Sequence, residues 1–161
     1  MCYFKILLTP GCFLEGESLS HFLGRVRRRN HLSAHALGDL VGIGSAIARW
    51  EKFYYNPFPS DAELTALGDL LGLDLAQLKA MLPSKGQKMK CQPIRLCGAC
   101  YSESPYHRLE WQFQSVWKCV GGASRRRSHQ LKLLSKCPQC GAKFKIPSLW
   151  EFGKCVGESP P

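Results

Sequence analysis

A two-part fold, helical first and then small and held by cysteines, is what this sequence predicts, and three observations carry it. Across the first half, apolar residues recur at helical spacing and the helices run into glycine. In the second half the apolar period shortens to two and two Cys-x2-Cys pairs appear. Charge divides at the same place: residues 1–90 carry 11 basic and 8 acidic side chains, residues 91–161 carry 11 and 4, and seven of the nine cysteines fall in the later part. The fold class is therefore a mainly α amino-terminal helix-turn-helix domain followed by a small α+β region of tandem, zinc-ribbon-like zinc fingers. The expected parts are an arm over residues 1–16, the helix-turn-helix domain over 17–82 and a linker over 83–95. A first zinc finger follows over 96–132, and a second, one ligand short, over 133–161.

Each part has a local justification. The arm holds an apolar stretch from Ile6 to Leu8, which Pro10 and Gly11 stop far short of a signal-peptide core. No run approaches the roughly 18 to 20 apolar residues of a membrane span. A cytoplasmic protein with no membrane partner is expected, and in that compartment thiols stay reduced and available to metal. Leu19, Phe22, Leu23 and Val26 fall at i, i+3, i+4 and i+7, one face of a helix, with His21, Arg25 and Arg28 elsewhere on it. A second helix carries Ala36, Leu37 and Leu40 and ends at Gly42; a third restarts through Ile43, Ile47 and Trp50. Helix, tight glycine turn, helix is the helix-turn-helix order. Ser60 with Glu63, and Asp74 with Gln77, are capping boxes for two further helices, because each side chain satisfies an amide that the first turn leaves without a partner. Residues 36–42 and 66–72 share the pattern A-L-G-D-L-x-G, read as recurrent helix-ending chemistry rather than duplication.

Residues 83–90 are short, basic and without apolar periodicity, as a linker should be. Beyond them Trp111, Phe113 and Trp117 alternate with Gln112, Gln114 and Lys118, and Phe144 and Ile146 alternate with Lys143 and Lys145. Such short ribbons bury too little to fold unaided, so a staple is required.

Cysteine spacing supplies the staple. Cys97-Gly98-Ala99-Cys100 and Cys137-Pro138-Gln139-Cys140-Gly141 are knuckles in which two intervening residues let both thiolates reach one ion. Cys119 and His129 complete a Cys3His set with the first knuckle, and His107 is the rival for its fourth place. The second knuckle finds only Cys155 downstream, with Glu158 where a fourth ligand would stand. One zinc is expected firmly and a second on an incomplete set. A redox role for either knuckle would need a strand-helix-strand setting that is missing here. Cys2, Cys12 and Cys91 lie outside ligand spacing.

The net charge of +10 points to an acidic partner, most often nucleic acid. Arg27, Arg28 and Arg29 end the first helix, and Arg49 and Lys52 follow the glycine turn; these five are the expected contacts to a DNA or RNA phosphate backbone. Base reading is expected to be weak, because the second helix of the pair opens with Gly44, Ser45 and Ala46, which offer no bidentate fork. The loop Phe53-Tyr54-Tyr55-Asn56-Pro57-Phe58 holds more aromatic surface than one small core needs, so Tyr54, Tyr55 and Phe58 are candidates for partner binding.

No enzyme is expected. There is no Gly-x4-Gly-Lys-Ser/Thr loop and no His-Glu-x2-His, and the second half carries only Glu103, Glu110, Glu151 and Glu158 as carboxylates.

Taken together, Glu15-Gly16-Glu17-Ser18-Leu19-Ser20-His21-Phe22-Leu23-Gly24-Arg25, Ala48-Arg49-Trp50-Glu51, Pro93-Ile94-Arg95-Leu96-Cys97-Gly98-Ala99-Cys100-Tyr101 and Ser115-Val116-Trp117-Lys118-Cys119 closely resemble the TniQ family. The likeness is greatest to the short members found in cyanobacterial CRISPR-associated transposons with a single RNA-guided effector, and it covers residues 15 to about 155. It implies a bacterial, non-catalytic transposition adaptor with a helix-turn-helix domain and tandem zinc fingers. The partners it implies are the AAA+ ATPase TnsC, as a filament, and a Cas effector with its guide RNA, so that the adaptor serves target-site selection in RNA-guided DNA integration. The family sets its first-site His three residues after the third Cys, whereas here residues 120–128 separate Cys119 from His129. It also closes its second site with a Cys beyond the position of Cys155, and this sequence has none there. A zinc-containing helix-turn-helix transcriptional regulator is the alternative, from the helix order of residues 37–82.

Overall fold

The computed structural model describes residues 17–83, 95, 97–99 and 129–144, and these are mainly helical. The chain forms two compact units, Met1–Leu14 with Leu19–Lys85 and Glu15–Ser18 with Gly86–Pro161. The first contains α1 (Leu19–Arg29), α2 (Ala34–Val41), α3 (Ala46–Trp50), α4 (Asp61–Leu71) and α5 (Leu75–Ala80).

Periodicity places α1. Leu19, Phe22, Leu23 and Val26 are each at most 1% exposed, and Ser20, His21 and Gly24 are buried as well, so burial wraps further round the helix than its apolar stripe. Arg27, Arg28 and Arg29 occupy the last turn, where cations complement the negative end of the helix dipole. Asn30 Nδ2 donates to the Val26 carbonyl at 2.8 Å, beside its own amide, which reaches the same oxygen at 3.2 Å.

Ser33 caps α2, its hydroxyl accepting from the Ala36 amide at 3.0 Å, and Gly42 ends it in the left-handed conformation at φ +78°. Gly38 is needed for a different reason. The turn folds back so closely that a Cβ there would lie 1.8 Å from the Gly44 carbonyl oxygen. The Gly38 carbonyl itself receives the Ile43 and Gly44 amides at 2.9 and 3.1 Å. Residues 66–72 repeat the arrangement: Gly72 ends α4 at φ +67°, and a Cβ on Gly68 would meet the Leu73 oxygen at 2.4 Å. Both expected capping boxes form, Ser60 with Glu63 and Asp74 with Gln77.

Two details differ from the sequence expectation. Ile43 belongs to the turn rather than to a helix, and α3 is only five residues long. Leu40 is 44% exposed; α2 has eight residues and commits Leu37 to the interior, leaving Leu40 at its edge.

The core of this unit joins one stripe from each helix: Leu19, Phe22, Leu23 and Val26 with Leu37, Ile47, Trp50, Leu64, Leu67, Leu71, Leu78 and Met81. The Leu19 amide donates to the Met81 carbonyl at 2.9 Å, which fastens the start of α1 to the residue that caps α5.

In the second unit Cys97 and Leu133 are buried together with Ala99 against them. Residues 136–143 form a tight antiparallel turn, with Lys136 bridged to Lys143, the Cys137 amide donating to the Ala142 carbonyl at 2.8 Å and the Gly141 amide to the Cys137 carbonyl at 2.9 Å. Gly141 takes φ +69°, which glycine adopts without steric cost. Phe144 is buried and Lys143 exposed, the expected alternation; Trp111, Phe113, Trp117 and Ile146 lie outside the described residues. Among the described residues no helix is long and apolar enough to cross a membrane.

Candidate functional site

Cys97 Sγ and His129 Nδ1, 32 residues apart in sequence, stand 3.7 Å from one another. Two ligands on a tetrahedral zinc, with Zn–S about 2.3 Å and Zn–N about 2.05 Å, are about 3.6 Å apart. The donor pair thus has the chemistry and the spacing that one zinc edge requires. Cys100 and Cys119, the other members of that set, and the rival His107 lie outside the described residues.

Cys137 and Cys140 lie in a turn closed by the Gly141 amide on the Cys137 carbonyl, with Gly141 in the left-handed conformation. Cys137 is half-buried and Cys140 exposed; Cys155 lies outside the described residues. Among the described residues no group of three or more His, Cys, Asp or Glu side chains is gathered as a metal would need.

The five basic residues meet different fates. Arg27 pairs with Glu51, Nε to Oε1 at 2.8 Å, with the two side chains only 20% and 13% exposed, and its Nη1 also donates to the Leu32 carbonyl at 3.3 Å. Arg49 Nη1 donates to the Asn56 carbonyl at 3.1 Å while the Arg49 carbonyl accepts the Tyr54 amide at 2.9 Å, so this residue braces the aromatic loop at two points. Arg28 is half-buried, whereas Arg29 and Lys52 are exposed. Neither of the last two side chains has an ion-pair partner among the described residues. Arg29 and Lys52 are thus the fully exposed members of the five, the other three being half-buried.

The aromatic loop divides as well. Phe53 is buried, and Tyr55 packs on the core with its ring 6.2 Å from that of Phe58. Phe58 in turn walls an open groove of about 550 Å³ with Pro59, Leu64, Leu82 and Pro83, beside the Lys79–Asp61 ion pair. Tyr54 is 50% exposed, whereas Tyr55 and Phe58 are half-buried.

Glu51 is the residue that sequence reasoning missed. Its carboxylate takes Arg27 and its backbone carbonyl accepts the Ser20 hydroxyl, so one residue after α3 holds α1 at two points. The available signal was that Glu51 is the only carboxylate between Asp39 and Asp61, facing a surplus of nearby arginines.

No protein-family model matches the chain, and no curated protein is significantly similar to it.

Proposed function

We propose that this chain is a non-catalytic transposition adaptor of the TniQ type, coupling an RNA-guided Cas effector and its guide RNA to the AAA+ ATPase TnsC for target-site selection. The observation that carries the reading is the set of sequence segments that resemble that family across residues 15 to about 155. Two features of the geometry support it over sequence-specific regulation. Read as a helix-turn-helix, α2 and α3 present a second helix of five residues whose Ala46, Ile47 and Trp50 are buried. Its Arg49 is engaged with the loop, so no side chain of α3 is left with the fork that base reading uses.

Zinc is part of the proposal. Cys97, Cys100, Cys119 and His129 would hold one ion, and Cys137, Cys140 and Cys155 would furnish an incomplete second set. Bound there, zinc supplies a structural cross-link in place of a large core. The chain's own residues do the adaptor's work. Tyr54 offers an exposed aromatic anchor, Arg29 and Lys52 offer charge to phosphate, and Glu51 keeps α1 and the α3 end in fixed relation.

The test is a reconstituted RNA-guided integration reaction containing the ATPase, the effector with guide RNA and the transposase. Omitting this chain is expected to abolish targeted insertion, and adding it back to restore it. Full targeted insertion without it contradicts the proposal.

A further inference from the structure

Lys136 and Lys143 are bridged directly across the turn of the Cys137–Cys140 knuckle. Like charges in that position repel and weaken a ribbon unless something of opposite sign meets them. Both lysines are exposed, as is Lys132 four residues earlier in the sequence. None of the three forms a hydrogen bond or ion pair through its side chain with a described residue. Residues 129–144 contain no Asp or Glu at all, so the segment carries three positive charges with no internal counterion.

We infer that this lysine face is a second nucleic-acid contact, separate from the helical unit, and that its ligand is the phosphate backbone of double-stranded DNA. Lysine-rich surface is depleted from protein–protein interfaces, which speaks against an acidic protein. The large exposed apolar residue of this segment, Leu131, stands alone, whereas protein anchors cluster. Single strands are bound on aromatic stacking platforms, and Phe144, the aromatic residue of the segment, is buried. Ammonium groups act as point charges, which suits contact with phosphate regardless of base sequence. The inference stands on the knuckle's own residues and does not depend on the adaptor reading.

Titrating a duplex of arbitrary sequence, about three helical turns long, into the full-length protein at several salt concentrations gives the test. For the triple variant Lys132→Gln, Lys136→Gln, Lys143→Gln, the slope of log affinity against log salt should shrink by about 2 to 3, near 0.9 per lost phosphate contact. The matching triple arginine variant, which keeps the charge, should retain the wild-type slope, and both variants should keep the wild-type zinc content. An unchanged slope in the glutamine variant, or an equal loss in the arginine variant, overturns the inference. Tighter binding through the same lysines to single-stranded DNA, to duplex RNA or to polyglutamate overturns the assignment to double-stranded DNA.

Discussion

Arg27 and Glu51, 24 residues apart, meet through Nε and Oε1 at 2.8 Å, and the Glu51 carbonyl also receives the Ser20 hydroxyl. The last turn of α1 and the residue that caps α3 are thereby fixed to each other at a site where both side chains are largely shielded from water. A half-buried ion pair loses more by being broken than it gains by being made, because the surviving partner keeps its charge without compensation. Arg27→Ala and Glu51→Ala are each expected to lower stability by about 1 to 3 kcal/mol. In a double-mutant cycle by urea denaturation the two losses should not add. Full additivity would show that the pair is decorative.

Gly38 and Gly42 should differ in cost although both serve the same turn. Gly42→Ala meets only a left-handed φ with open space around it, worth about 1 to 2 kcal/mol. Gly38→Ala drives a methyl group into the Gly44 carbonyl and must displace the backbone, so its loss should be the larger, about 3 kcal/mol or more. Equal denaturation midpoints for the two variants would contradict the close approach.

On the helical unit, charge available to phosphate should reside in Arg29 and Lys52. Removing both as Arg29→Gln, Lys52→Gln is expected to reduce the salt slope of duplex binding by about 1 to 2. Arg49→Gln should leave that slope unaltered and instead loosen the aromatic loop, seen as faster amide exchange at Tyr54, whose N–H bonds the Arg49 carbonyl.

Tyr54 should separate binding from folding. Tyr54→Ala removes an exposed ring and is expected to change stability by less than about 0.5 kcal/mol while weakening association with the ATPase or the effector complex. Tyr55→Ala and Phe58→Ala remove rings that pack on the helical unit and on each other, and should cost about 1 to 3 kcal/mol. Thermal melts of the three variants beside partner binding would sort them.

Purified protein should carry between one and two zinc ions per chain, since the first proposed ligand set has four members and the second only three. On the proposed zinc account, Cys97→Ser should lower the zinc content and disorder the second unit, while the helical circular dichroism of α1 to α5 persists. Elemental analysis that finds no zinc in the wild type would remove the metal account.

Where sequence and structure agree, the determinants are local. The stripe Leu19, Phe22, Leu23, Val26, the two capping boxes and the glycine end of α2 each lie within one or two helical turns, so spacing alone is sufficient to read them. What was not legible concerns partners distant in sequence. Nothing near Arg27 announces that it will also meet Glu51, and adjacent tyrosines at 54 and 55 look alike until one packs on the core and the other stays half exposed. Ile43 was apolar enough to suggest helix, but the requirement for Gly44 to reach back onto Gly38 keeps the chain in a turn until Ala46. For the metal, the Cys-x2-Cys spacing and the grouping of His129 with Cys97 were both legible in the sequence, and the structure adds their 3.7 Å separation.

The most direct measurement of the adaptor account is a pull-down of the two partners through this chain. Tagged full-length protein is mixed with the ATPase, with and without ATP, and with the RNA-guided effector bearing its guide RNA. The account predicts that the chain retains both, that the ATPase is retained better with ATP, and that the ATPase and effector do not co-purify when the chain is left out. Retention of neither partner, together with a footprint of the isolated chain on one operator about a thousandfold tighter than on scrambled DNA, would contradict it and favour a transcriptional regulator.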